Sequence, residues 1–223
     1  MEYSINVFTG LSSFNGSGAT SSTRILIRSF ALSPVSSVEN PYGKKSNTLL
    51  SGEIQAARVT KSNWLYGAAL GYERFAAKAS IDSIFDEWQN QRYTTTGNAT
   101  IRSSFINVYP FIGKRFVASD ILIDVSTGVD IAYCLDSRLK AEANTKGSSP
   151  YSLDYDLNKG SSFFTPYAKK ISVDCRARLQ IKAQYKKYGL LVGYSQGLTN
   201  YKGNSSSKVF SRFLRLGISY QIK

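Results

Sequence analysis

At 223 residues, with 42% apolar residues and a mean hydropathy of −0.22, the chain has the size of one domain. It holds no run approaching the roughly 20 apolar residues of a membrane-spanning helix. A formal charge of +13 is spread along the whole length without a basic block, which argues against a nucleic-acid tail and for dispersed contact with anionic lipid or an acidic surface.

The predicted elements, in chain order, are all extended. Residues 3–14, 49–59, 64–78 and 101–116 alternate loosely between apolar and polar side chains. In 121–135 the alternation is strict: Ile121, Ile123, Val125, Val129, Ile131, Tyr133 and Leu135 oppose Asp124, Ser126, Gly128, Asp130 and Cys134. In 171–185, Ile171, Val173, Cys175, Leu179, Ile181 and Tyr185 oppose Asp174, Arg176, Arg178, Gln180, Lys182 and Gln184. No helix of period 3.6 tolerates that pattern, and soluble strands seldom sustain it so long. Residues 189–201 follow, and the chain closes with Leu214, Leu216, Ile218, Tyr220 and Ile222 on one face against Arg215, Gly217, Ser219, Gln221 and Lys223.

Short turns at 60–63, 117–120 and 186–188 alternate with long links at 15–48, 80–100 and 137–170. Eight strands with one apolar face, joined by alternating short and long connections, predict an all-β fold. The expected form is a closed eight-stranded antiparallel transmembrane β-barrel, an up-and-down meander occupying residues 1–223 as a single domain. Turns are then periplasmic and loops extracellular, and the chain is expected to be a mature bacterial outer-membrane protein lacking its export signal. In the first loop, residues 24–32 are apolar enough for a short helix over the mouth or a strand extension. If they spanned the membrane, 151–157 would supply a tenth strand.

Three motifs sharpen this reading: Asn107-Val-Tyr-Pro-Phe-Ile-Gly-Lys-Arg115, with a proline inside an apolar strand; Tyr194-Ser-Gln-Gly-Leu-Thr-Asn200; and the closing Leu216-Gly-Ile-Ser-Tyr220. With them the chain resembles the PorT-like outer-membrane β-barrel family widespread in Bacteroidota, apart from its last two residues, Ile222 and Lys223, where that family ends on an aromatic. The resemblance implies the fold and the compartment, and no single activity.

Alternation turns Glu53, Glu73, Asp124, Asp130, Asp174, Arg176, Arg178, Lys182 and Arg215 into the lumen. An eight-stranded barrel has room there only for side chains, so these charges are expected to pair as a structural network, with Asp124 and Asp130 facing Arg176 and Arg178 on the next strand. Lys61, Lys114, Arg115, Lys186, Lys187 and Lys223 are expected at the periplasmic rim, touching anionic lipid or an acidic partner. Trp64, Tyr66, Tyr109, Tyr185 and Tyr188 should form an interface girdle there. Cys134 is expected to point inward and Cys175 outward, without a disulfide.

Histidine is absent, which removes the base used by lipid A acylation enzymes and omptin-type proteases. Asp82, Asp86 and Glu87 read as a solvated acidic loop, and Asp154 with Asp156 falls short of a calcium site. No catalytic residue, cofactor or metal is expected, and no nucleic-acid partner. The expected function is a non-enzymatic structural or interaction module, with outer-membrane lipids and other outer-membrane or periplasmic proteins as partners. Two alternatives are an accessory of a secretion or assembly machinery and a narrow transport or lipid-handling barrel.

Overall fold

A strand whose outer face meets lipid must satisfy its backbone hydrogen bonds within the protein, and only closure of the sheet removes the unpaired edges. The computed structural model describes residues 1–30, 33–144, 151–159, 171–203 and 206–222, and the sheet does close. Eight strands form the ring: β1 (Glu2–Asn15), β4 (Lys45–Val59), β5 (Trp64–Asp86), β6 (Gln91–Ala118), β7 (Ile121–Asn144), β9 (Val173–Tyr185), β10 (Tyr188–Gly197) and β11 (Phe210–Gln221). Each pairs antiparallel with the next, and β1 closes on β11 through Val7 opposite Ile218. Both ends of the described chain therefore lie on the side of the short turns.

Those turns are tight because each places one residue at positive φ: Asn63 at 62°, Ser119 at 54° and Lys186 at 52°. The reversal needs that left-handed step, which asparagine takes most readily.

On the outer face, Leu50, Leu70, Ile131, Leu179 and Leu216 are exposed. Trp64, Tyr66, Tyr185, Tyr188 and Tyr220 edge this apolar band on the turn side, and Tyr72, Tyr133 and Tyr194 on the loop side. Exposed leucines bounded by two rows of aromatics are the lipid-facing surface of a transmembrane barrel.

The strands do not stop at that band. β6 alone has 28 residues, against the 9–11 or so needed to cross a bilayer. Above the band, β2 (Ser22–Phe30) and β3 (Ser33–Val38) form a hairpin, and β2 lies parallel to the upper part of β5. β8 (Tyr151–Asp156) pairs with the upper part of β7. The described part of the apolar run at 24–32, residues 24–30, is thus neither a helix over the mouth nor a membrane span; 31–32 fall outside the described residues. It belongs to this extramembranous hairpin, clamped by Arg24 donating to Glu39 at 2.6 and 2.8 Å. The segment at 151–157 likewise lies beyond the ring.

Much of what the alternation predicts as long links is therefore ordered strand. Three shifts of register in the ring strands lie at its base or within it: between Ser46 and Leu49 in β4, between Ile81 and Ser83 in β5, and between Ser104 and Phe105 in β6. The last makes Leu135 an extra residue in β7, so that even-numbered side chains point inward up to Cys134 and odd-numbered ones from Ser137 onward. A bulge inverts the phase of everything after it, which ends the periodic signal without ending the strand.

Candidate functional site

Every second side chain of a ring strand points inward, so the interior is a stack of side-chain layers. The lowest is held by Arg115, whose guanidinium forks onto Asp124 (2.7 and 2.9 Å) and onto Glu2 (2.7 and 2.8 Å). Lys182 adds a longer contact of 3.7 Å to Asp124.

Above it, Arg178 donates to both oxygens of Glu53, at 3.0 and 3.1 Å, and to Gln180. Asn6 donates to Glu53 at 3.1 Å and to Gln55 at 2.9 Å. The flat guanidinium of Arg178 lies 4.3 Å from the centre of the Tyr109 ring, a contact that compensates part of its lost hydration. Gly71 allows this crowding, since a β-carbon there would meet Glu53 at 3.0 Å and Asn107 Oδ1 at 2.8 Å.

The third layer is the densest. Glu73 accepts from Arg176 at 2.5 Å and from Arg215. Asp130 lies 3.5 Å from Arg176 and 3.3 Å from Arg215, and also accepts from Asn107 at 2.8 Å. Asp174 accepts from Arg176 Nε at 2.7 Å, from the Tyr201 hydroxyl at 2.9 Å and from Ser211 at 2.8 Å. Glu73, Asp130, Asp174 and Arg176 are fully buried, and Arg215 nearly so. Charges this deep persist only when each has a partner.

Aromatic rings close the stack toward the loops. Phe75 packs against Phe213 at 5.0 Å, Phe105 at 5.6 Å and Phe14 at 6.0 Å. Tyr201 meets Phe14 at 4.9 Å, and Tyr42 meets Phe14 at 5.3 Å. Arg176 sits beneath this cluster, 4.3 Å from the centre of Phe213.

The nine residues Glu53, Glu73, Asp124, Asp130, Asp174, Arg176, Arg178, Lys182 and Arg215 are all buried inside the ring, but their partners differ from those the adjacent-strand pairing suggests. Asp130 does meet Arg176. Asp124 instead meets Arg115 and Lys182, and Arg178 crosses the interior to Glu53. An arginine pointing into a narrow barrel reaches the opposite wall as readily as its neighbour.

Two further expectations are corrected. Arg115 is not at the rim surface and Tyr109 is not in the girdle: both are buried, because odd-numbered residues of β6 face inward, and Lys114 and Arg115 cannot share one face. Lys61, Lys114, Lys186 and Lys187 are exposed on the turn side, and Lys186 lies 5.2 Å over the Tyr185 ring. Lys223 falls outside the described residues. Cys134 is buried, Cys175 is partly exposed, and no disulfide joins the two.

The sequence reading missed Glu2, Asn6, Gln55, Asn107 and Tyr201 as members of the network. Glu2 and Asn6 share the parity of Ser4 and Phe8, so the inward phase of the first strand contained the signal. Tyr201 closes the expected strand 189–201, but the strand stops at Gly197, and parity says nothing about a residue in the turn beyond it. Among the described residues no group of histidine, cysteine, aspartate or glutamate is arranged to hold a metal ion. The buried carboxylates are already committed to guanidinium groups, and the interior as built binds its own charges.

The closed antiparallel ring, the lipid-facing band and the two aromatic edges identify a bacterial outer-membrane β-barrel, with turns in the periplasm and β2, β3 and β8 outside the cell. No family model matches the chain, and no curated protein does. Among solved structures it aligns with Ail, the attachment invasion locus protein of Yersinia pestis, in complex with the heparin analogue sucrose octasulfate, at 8% identity and a TM-score of 0.39 over 100% of both chains. Ail in a second crystal structure gives 10% identity and 0.36, again over 100% of both. Neisserial surface protein A gives 10% identity and a TM-score of 0.39, over 98% of this chain and 96% of that one.

Proposed function

We propose that the chain is a non-enzymatic membrane anchor that presents a β-structured extracellular surface to a protein partner. One observation carries this reading: paired ions and packed rings fill the interior from Arg115 to Phe14, so the barrel serves as a rigid support rather than a conduit. The hairpin of β2 and β3 and the long ends of β5 to β7 are the parts this support raises above the membrane.

The resemblance to PorT-like barrels favours a more specific version, in which the partner belongs to a secretion or assembly machinery of the outer membrane. The alternative of a narrow transport or lipid-handling barrel requires a path through the charged layers. Planar-bilayer recordings distinguish these cases. The purified protein is expected to show no stable conductance steps, and porin-like channels would overturn the anchor reading. Affinity capture from solubilised outer membranes tests the other half. A partner retained by the whole chain should be lost when residues 22–38 are replaced by a short flexible linker in a barrel that still refolds. Retention by that variant would move the docking surface elsewhere.

A further inference from the structure

Just beyond the loop-side edge of the apolar band, the outward face of β5, β6 and β7 carries a cluster of cations. Arg74 is the next outward residue after Tyr72, Arg102 lies two outward positions above Ile106, and Arg138 and Lys140 follow the bulge after Leu135. The registers bring them together: Arg74 stands opposite Ser104, Arg102 directly opposite Arg138, and Thr100 opposite Lys140. With adjacent strands about 4.8 Å apart, four cationic side chains share one small patch. They border a surface groove of about 560 Å³ with Tyr72 and Leu135 at its membrane end. A second groove of about 410 Å³ shares Arg74 and Arg102 and reaches down to Leu50.

The patch is incompletely neutralised. Arg138 lies 3.6 Å from Asp136, and Lys140 lies 2.5 Å from Glu142. Asp154 occupies the cross-strand position of Lys140. Arg74 and Arg102 make no ion pair among the described residues, and the segments outside the description contain neither aspartate nor glutamate. Like charges directly opposed across two strands, as in Arg102 and Arg138, destabilise a sheet. In the neighbouring hairpin, by contrast, Arg24 is paired with Glu39 and Arg28 with Glu87.

We propose that this patch binds the phosphate headgroup of a phosphorylated glycolipid in the outer leaflet. The cations face sideways into the membrane interface rather than up into solvent, at the height where headgroups lie. The floor of both grooves continues into apolar side chains that acyl chains would cover. A phosphate above and hydrocarbon below match this order of chemistry, and the fork of a guanidinium suits phosphate oxygens. The site is independent of the anchor reading, since it concerns the outer wall and not the interior or the extracellular hairpin.

The test uses the whole chain refolded in a neutral maltoside detergent, with diphosphorylated lipid A as the probe and native mass spectrometry as the readout. The unmodified protein should retain lipid A. Arg74→Gln with Arg102→Gln should bind about tenfold more weakly or worse. Arg74→Lys with Arg102→Lys should fall between that variant and the unmodified protein, since the charge stays and the fork is lost, and Lys114→Gln on the opposite rim should change nothing. Equal binding of fully dephosphorylated lipid A, or undiminished binding by the double glutamine variant, would overturn the proposal. So would competition by inorganic pyrophosphate at the same concentration as lipid A, because the patch would then be a soluble-anion site.

Discussion

Glu73 and Phe75 are consecutive inward positions on one strand, yet they belong to opposite environments. Glu73 lies between two arginines, and Phe75 packs among Phe14, Phe105 and Phe213. The same step recurs from Asn107 to Phe105 on β6 and from Arg215 to Phe213 on β11. Outside, the change runs the other way at the same height, from Tyr72 to Arg74 on β5 and from Ile106 to Arg102 on β6. Below the step the wall is apolar outside and charged inside, as a lipid solvent demands. Above it the wall is charged outside and apolar inside, as water demands. The apolar interior continues upward through Ile25, Val38, Ile84, Ile101 and Leu139. One continuous set of strands therefore passes through two solvents, and the sheet keeps its pairing while its faces exchange roles.

The comparison predicts different failures on the two sides of the step. The largest effect belongs to the charged layer. Arg176→Leu strips Asp174 of its cation and leaves Glu73 and Asp130 to share Arg215 alone, and should cost roughly 5 kcal/mol. Urea titration of protein refolded into detergent micelles measures it. The Arg178 and Glu53 pair sharpens the point because it is more nearly self-contained. Either single change to leucine should cost roughly 3 kcal/mol or more, and the double change should recover most of that loss, since no unpaired charge then remains. A strictly additive double variant would mean that the pair is not the unit of stabilisation.

On the aromatic side, Phe75→Ala should cost roughly 3–4 kcal/mol through the cavity it leaves, without exposing any charge. The two sides should also differ in where the damage appears. Loss of Arg176 should disturb the membrane-embedded strands, whereas loss of Phe75 should first increase hydrogen exchange in β2, β3 and β8. If Phe75→Ala left those segments unchanged, the upper core would not be the element that holds them.

The spanning strands were legible because period-two alternation with the apolar face outward is sustained from Ile121 to Leu135 and from Ile171 to Tyr185. The inward placement of the nine charged lumen residues follows from the same parity, but their partners do not, since parity names a face and says nothing about reach across the interior. Arg115 and Tyr109 were misplaced where parity was set aside in favour of height along the barrel. The extramembranous strands were illegible for two physical reasons. Bulges such as the one at Leu135 reset the phase, and beyond the step the apolar face is the inner one. Ser137, Leu139, Ala141 and Ala143 therefore continue β7 as an inward row, while Arg138, Lys140 and Glu142 face outward, so a search for outward apolar residues finds nothing there.

The smallest predicted effect lies at the top of the extension, where the Tyr155 hydroxyl donates to the backbone carbonyl of Ser36 and joins β8 to β3. Burial, with Tyr151 close by, pushes the Tyr155 hydroxyl from its usual 10.0 up to about 12. The folded state therefore favours the protonated, neutral phenol. Its contribution is fully present below pH 10, declines as pH rises from 10 to 12, and is lost above that. Tyr155→Phe removes the donor and should lower stability by about 1 kcal/mol at pH 9. The gap between the two proteins should narrow steadily over the next two to three pH units, as the unmodified chain loses what the variant never had. Denaturation midpoints measured in parallel from pH 9 to 12 test this. A gap that stayed constant would show that the hydroxyl contributes through packing alone, and a gap that widened would contradict the assigned direction of the shift.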